Sequence, residues 1–236
     1  MTSFIRTNFR RAVSFGSVYL ILAIVMSILV GGIFSWTASL SEDASLYVAS
    51  QFPMMIPLFA VIGSFGGLMV FVSDRTKGVY EYLIAYGVSV YKIFWATLLV
   101  TLGLVTIFLG ISLAGNMAIL LLMGSQIQFS LIKLILIYTI PLCYASTAFM
   151  CIAGMMWSSL TVRVPGVNSP IGISALIGML PVMVVYFLTL FGGLGGLSTS
   201  IWIIIGGVVL LLVILVIVMM IIANNKMNRE RLLSDA

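Results

Sequence analysis

Apolar residues in this chain run in long blocks, and six of the blocks can each form a helix that crosses a bilayer. They cover residues 13–36, 54–73, 93–123, 131–157, 171–191 and 201–223. A helix needs about 20 apolar residues to pass the hydrocarbon core, and every block meets that length. The pattern therefore predicts an all-α integral membrane protein with six transmembrane helices, forming one transmembrane domain over residues 1–236.

Ahead of the first block, Phe4, Ile5, Phe9, Ala12 and Val13 fall on one side of a helical wheel. Arg6, Thr7, Arg10 and Arg11 fall on the other, with Asn8 the exception, so a short interfacial helix is expected there. Pro53 and Pro57 open the second block, where proline is tolerated in a first helical turn. Gly63 and Gly67 form a small-xxx-small pair suited to close helix approach. The third block is longer than the membrane core requires, so it is expected to tilt, protrude or break, with Gly110, Gly115 and Asn116 marking the position for a bend. Pro141 and Pro181 remove hydrogen bonds inside the fourth and fifth blocks and predict kinks. No internal repeat is visible.

Composition agrees with the blocks: 62% of residues are hydrophobic and only 7% charged, far below the quarter or so of a soluble domain. The charges add an orientation. Ten of eleven Lys and Arg residues sit at Arg6, Arg10, Arg11, Arg75, Lys77, Lys92, Arg163, Lys226, Arg229 and Arg231, whereas the first opposite loop carries Glu42 and Asp43. Positive residues gather in cytoplasmic loops, so the pattern predicts a multi-pass protein of the cell membrane with both termini cytoplasmic. The net charge of +5 is thereby explained as orientation rather than as a nucleic-acid surface. The basic start followed by an apolar run resembles a signal peptide, but the run exceeds an h-region and lacks an A-x-A site, so it is expected to remain as the first span.

What the chain lacks narrows the chemistry. It has no histidine, which removes the commonest general base and metal ligand. Cys143 and Cys151 lie in one predicted helix about 12 Å apart at helical rise, too far for a disulfide. No span carries a charge at its middle, where proton-driven carriers place theirs, and Lys133 sits close enough to a helix end to snorkel. No phosphate-binding G-x-x-x-x-G-K-[ST] loop occurs. The chain is thus expected not to be an enzyme and to bind no cofactor or metal itself. The polar residues Ser64, Thr97, Thr101, Asn116, Tyr138 and Tyr144 are candidates to line a path, and also ordinary interhelical hydrogen-bonding groups.

One loop carries a motif. Between the second and third blocks the chain reads Ser73-Asp74-Arg75-Thr76-Lys77-Gly78-Val79-Tyr80-Glu81-Tyr82-Leu83-Ile84-Ala85-Tyr86-Gly87-Val88-Ser89. A helix beginning near Gly78 places Val79, Tyr82, Leu83 and Tyr86 on one stripe. Lys77 and Glu81 are spaced to pair, and Gly87 is placed to end the helix as a left-handed cap.

The segment resembles the coupling helix of the ATP-binding-cassette type-2 permease family at Arg75, Lys77, Gly78, Glu81, Leu83, Ala85, Val88 and Ser89. Tyr86 and Gly87 stand where many members have Thr-Pro, and the outer segment before the last span is shorter than in many members. The basic amphipathic start resembles the family's connecting helix through Phe4, Ile5, Arg6, Phe9 and Arg10. The resemblance implies a permease subunit, an exporter, paired with a second copy or paralogue. A separate ATPase subunit would hold ATP and Mg and dock on Lys77, Gly78, Val79, Glu81, Tyr82, Leu83 and Tyr86. Uncharged spans suggest an apolar or amphipathic cargo, with ions as the alternative because backbone carbonyls can also line a path. A channel or carrier independent of ATP, and a membrane scaffold or assembly subunit, are the alternative readings.

Overall fold

The computed structural model describes residues 2–39, 55–122, 135–156, 176–185, 187 and 199–226. Expectations for Glu42, Asp43, Pro53, Lys133, Arg163, Arg229 and Arg231 lie outside the described residues. Every regular element within them is helical. In chain order these are α1 (Thr2–Ser39), α2 (Met55–Thr76), α3 (Val79–Ala85) and α4 (Val90–Leu122). They are followed by a π-helical turn (Ile135–Thr139) leading into α5 (Ile140–Met156), then α6 (Leu176–Val185) and α7 (Thr199–Lys226).

Five of these helices are long and apolar enough to cross a membrane: α1, α2, α4, α5 with its preceding turn, and α7. The fifth sequence block appears as the shorter apolar helix α6, and the residues on either side of it are outside the described set.

Two details differ from the sequence expectation. The amphipathic start is not a separate helix; it is the first turns of α1, which continues without a break through Ser39. No glycine or proline stands between Arg10 and Val13 to interrupt it, and Ile5, Phe9 and Val13 pack against the main core cluster. Likewise, α4 stays helical through Gly110, Gly115 and Asn116. Two of those residues serve packing: Gly115 faces the Ile28 side chain and Asn116 lies against Gly31, both on α1. In lipid, where apolar surface gains little by meeting apolar surface, small residues of this kind are what let helices approach closely.

The closest approach is between α1 and α2. A Cβ on Gly16 would stand 2.5 Å from the Gly66 Cα, and one on Gly66 would collide with the Ala12 carbonyl oxygen. The backbones therefore touch at Ala12, Gly16 and Gly66. Gly63 and Gly67, the pair noted in the sequence, face other partners: Gly63 meets Ala23 and Phe108, and Gly67 meets Thr101.

Register follows from these contacts. Arg11 meets Asp74 and Gly16 meets Gly66, so α1 and α2 are antiparallel; Phe9 meets Gly103 and Ile28 meets Gly115, so α1 and α4 are parallel. Thr101 meets Cys151 and Thr106 meets Tyr144, which sets α5 antiparallel to α4. Gly206 of α7 lies against Tyr138 near the start of α5, while Val216 and Ala223 join the cluster that holds Ile152 and Met155. The helices α5 and α7 thus run the same way. Between them, Gly178 of α6 packs on Met150, and Val185 shares a cluster with Leu142, so α6 runs opposite to α5.

Candidate functional site: the α2–α3 corner

The chain turns through the motif on two left-handed glycines. Gly78 has φ +66° and separates α2 from α3, and Gly87 has φ +80° just beyond α3. The Gly87 N–H donates to the Ile84 carbonyl at 3.0 Å, and the Val88 N–H donates to the Leu83 carbonyl at 2.9 Å. That pair of bonds is the Schellman closure, with Leu83 and Val88 as its apolar contact. An L-residue in the left-handed conformation costs about 1–2 kcal/mol, so glycine at both corners keeps this seven-residue helix sharply bounded.

The face that α3 turns toward the bundle overlaps the sequence stripe only at Leu83, and centres on Tyr80. Tyr80 is buried, its ring centroid 5.3 Å from that of Phe71 in α2. Leu83 and Ile84 are partly buried against the same cluster, which also holds Ile93, Phe94 and Cys151. Tyr82 and Tyr86 stand away from it, 69% and 85% exposed. Four of the expected coupling residues, Lys77, Glu81, Tyr82 and Tyr86, are therefore on the open surface, while Gly78, Val79 and Leu83 lie partly covered. Lys77 and Glu81, both among the described residues, form no ion pair with each other; the Glu81 carboxylate lies over Gly78 instead.

Beside this helix is a charge pair that sequence reading did not single out. Arg11 of α1 donates two hydrogen bonds to Asp74 of α2, Nη1 to Oδ2 at 2.8 Å and Nη2 to Oδ1 at 2.5 Å. The Asp74 side chain is 3% exposed and that of Arg11 35% exposed. Bidentate geometry is the strongest form of the Arg–carboxylate contact, and a carboxylate this buried would be costly without it. Burial holds the Tyr80 phenol well above the ordinary tyrosine value. The nearby Asp74 carboxylate pushes it the same way, and the Thr97 hydroxyl partly offsets both.

The candidate path residues are mostly occupied by the scaffold. The Ser64 hydroxyl donates to the Val61 carbonyl, Thr97 to Ile93, Thr101 to Thr97, and the Asn116 amide to Ser112. Tyr144 and Thr106 share a hydroxyl contact at 2.9 Å, and Tyr138 packs on Gly206. Ser27 of α1 and Ser112 of α4, absent from the sequence candidates, meet at 2.5 Å and join that seam. By contrast, Thr139, Ser146 and Thr147 along the π-turn and α5, with the Trp95 indole N–H, are buried polar groups lacking a hydrogen-bond partner among the described residues. Among the described residues no group of His, Cys, Asp and Glu is placed to hold a metal.

The architecture is thus that of a multi-helix apolar bundle with a surface helix clamped at one corner. No protein-family model matches the sequence, and no curated protein or solved structure is similar to it.

Proposed function

We propose that this chain is the permease subunit of an ATP-binding-cassette transporter of the type-2 kind, an exporter energised by a separate ATPase subunit. The observation that carries the reading is the division of α3: Tyr80, Leu83 and Ile84 fasten it to the bundle, while Tyr82 and Tyr86 are left on open surface. Exposed aromatics on a rigid support are favourable docking anchors, because interface hot spots favour them. A partner that pushes on α3 pushes on α2 and α4 as well.

The parallel run of α5 and α7 supports a sixth crossing, since the chain between them must return across the bundle and α6 lies in the returning direction. With six spans both termini share a side, and the basic residues around α1, the α2–α3 corner and Lys92 make that side the cytoplasm. The ATPase subunit then binds ATP and Mg, a second permease copy or paralogue completes the path, and the chain itself carries out no hydrolysis. Cargo of apolar or amphipathic character suits spans of this composition. The hydroxyls available to meet its polar groups are Thr139, Ser146 and Thr147, since the earlier candidates have partners to lose.

The test is co-purification in lipid nanodiscs from native cells. Stoichiometric recovery of a nucleotide-binding subunit with the wild type, lost on changing Tyr82 and Tyr86 to Asp, supports the permease. Recovery of the chain without any ATPase moves the reading to an ATP-independent channel or carrier, or to a scaffold. Because Tyr82 and Tyr86 are exposed, their replacement leaves the bundle's own packing intact, which replacement of Leu83 would not.

A further inference from the structure

A single turn of α2 is gripped from two sides. Phe71 and Asp74 are three residues apart and so share a face of that helix. Phe71 takes the Tyr80 ring from α3, and Asp74 takes the Arg11 guanidinium from α1. All three residues inside the grip, Phe71, Asp74 and Tyr80, are at most 3% exposed. Beyond the grip, Tyr82 and Tyr86 lie about 200° and 240° around the helix from Tyr80 at about 100° per residue, so the seating of Tyr80 decides where the two exposed rings point. A helix of seven residues has too few internal hydrogen bonds to hold a direction by itself.

We propose that Tyr80 and the Arg11–Asp74 pair act as one latch: Tyr80 is the positioning residue that aims Tyr82 and Tyr86 outward, and the ion pair makes α1 follow any displacement of α3 through α2. The use of this latch in coupling rests on the permease reading; its existence does not. An ion pair with a buried carboxylate separates reluctantly, because parting leaves the charge uncompensated. The ring contact between Phe71 and Tyr80 resists α3 sliding along α2. Displacement of α3 therefore reaches α1 through two contacts on one helical turn.

Hydrogen exchange on the full chain in lipid nanodiscs, with no ATPase present, tests this. Two windows are read, residues 79–89 and residues 3–13, with residues 203–223 as an internal control. Tyr80→Ala is expected to speed exchange roughly tenfold in both windows, the factor that about 1.4 kcal/mol gives, and to leave the control unchanged. Tyr80→Phe, which keeps the ring, stays close to wild type. Asp74→Asn loosens both windows, and Asp74→Glu restores them. Loosening of 79–89 alone by Tyr80→Ala would overturn the coupling to α1, and an unchanged 79–89 window in Asp74→Asn would overturn the single latch. Should Asp74→Asn also loosen the control window, Tyr80→Ala, which leaves both ion-pair side chains in place, decides alone: loosening of both windows upholds the latch, and loosening of 79–89 alone overturns it. With no ATPase in the measurement, the latch can fail while co-purification succeeds, and the reverse.

Discussion

The α2–α3 corner and helix α7 are built on opposite principles. At the corner, a bidentate ion pair, a buried tyrosine and two left-handed glycines fix the position of seven residues. Along α7, residues 199–225 carry no charge at all. Only 17% of its most apolar stretch is buried, against 67% for the span that contains α5. Lipid satisfies an apolar side chain as well as a neighbouring helix does, so an apolar helix acquires little preference for any one orientation. Position inside a bilayer is therefore set by the few polar and small residues that lipid cannot satisfy. The corner is rich in them and α7 is poor.

Four measurements sharpen or break that contrast. The largest effect is expected for Arg11→Ala, which strands the buried Asp74 carboxylate and should cost about 3–5 kcal/mol. Asp74→Asn should cost less, because the guanidinium left behind is already one-third exposed and reaches water. Thermal unfolding of both variants in one detergent checks the order, and equal losses would mean that burial does not govern the pair.

Next comes Gly66→Ala, whose methyl group meets the Ala12 carbonyl oxygen. Overpacking against backbone should cost about 1–3 kcal/mol, read by the same unfolding assay, and a neutral outcome would show that α1 and α2 can part freely.

A smaller effect concerns pH. The Tyr80 phenol is raised above its ordinary value of 10.0 by burial and by Asp74, so a detached α3 releases that proton at lower pH than a docked one. Docking is unaffected below pH 10 and weakens as pH rises through and beyond it. In a phenolate absorbance titration, wild type and Tyr80→Phe should coincide at pH 10, and an excess of phenolate in the wild type there would place Tyr80 outside the bundle.

The smallest effect belongs to α7. Leu211→Ala, at a side chain 64% exposed, should change stability by no more than about 0.5 kcal/mol. A loss of several kcal/mol would reveal that a protein surface, rather than lipid, covers this helix.

Five of the six blocks were legible as spanning helices because block length and hydropathy follow directly from bilayer thickness, and Gly87 was legible because a left-handed cap calls for glycine. The buried side of α3 was not. A 3.6-residue period groups Val79, Tyr82, Leu83 and Tyr86, yet it cannot tell which side of a short helix faces the bundle when tyrosines stand on both. The deciding partner is Phe71, nine residues earlier on another helix. Asp74 was hidden for a related reason: with Arg75 beside it, it reads as part of an ordinary loop charge cluster, and its true partner lies 63 residues away. The continuity of α1 was obscured because three arginines look like a boundary. Arg11 instead turns inward to Asp74, and the helix runs straight through.

The π-helical turn at Ile135–Thr139 sets the phase of Tyr138 against the helix that follows it. Pro141, two residues beyond, has no N–H to return to the preceding turn, and a wider coil just before it accommodates that gap. With that winding, Tyr138 meets Gly206 of α7 while Tyr144 meets Thr106 of α4. Each residue added to or taken from a helix rotates one part against the other by about 100°. Removing Thr139, which lies between the two tyrosines, would swing Tyr138 off its glycine while leaving Tyr144 in place. The turn acts as a phase shifter, letting one helix address neighbours on two sides of the bundle at different depths.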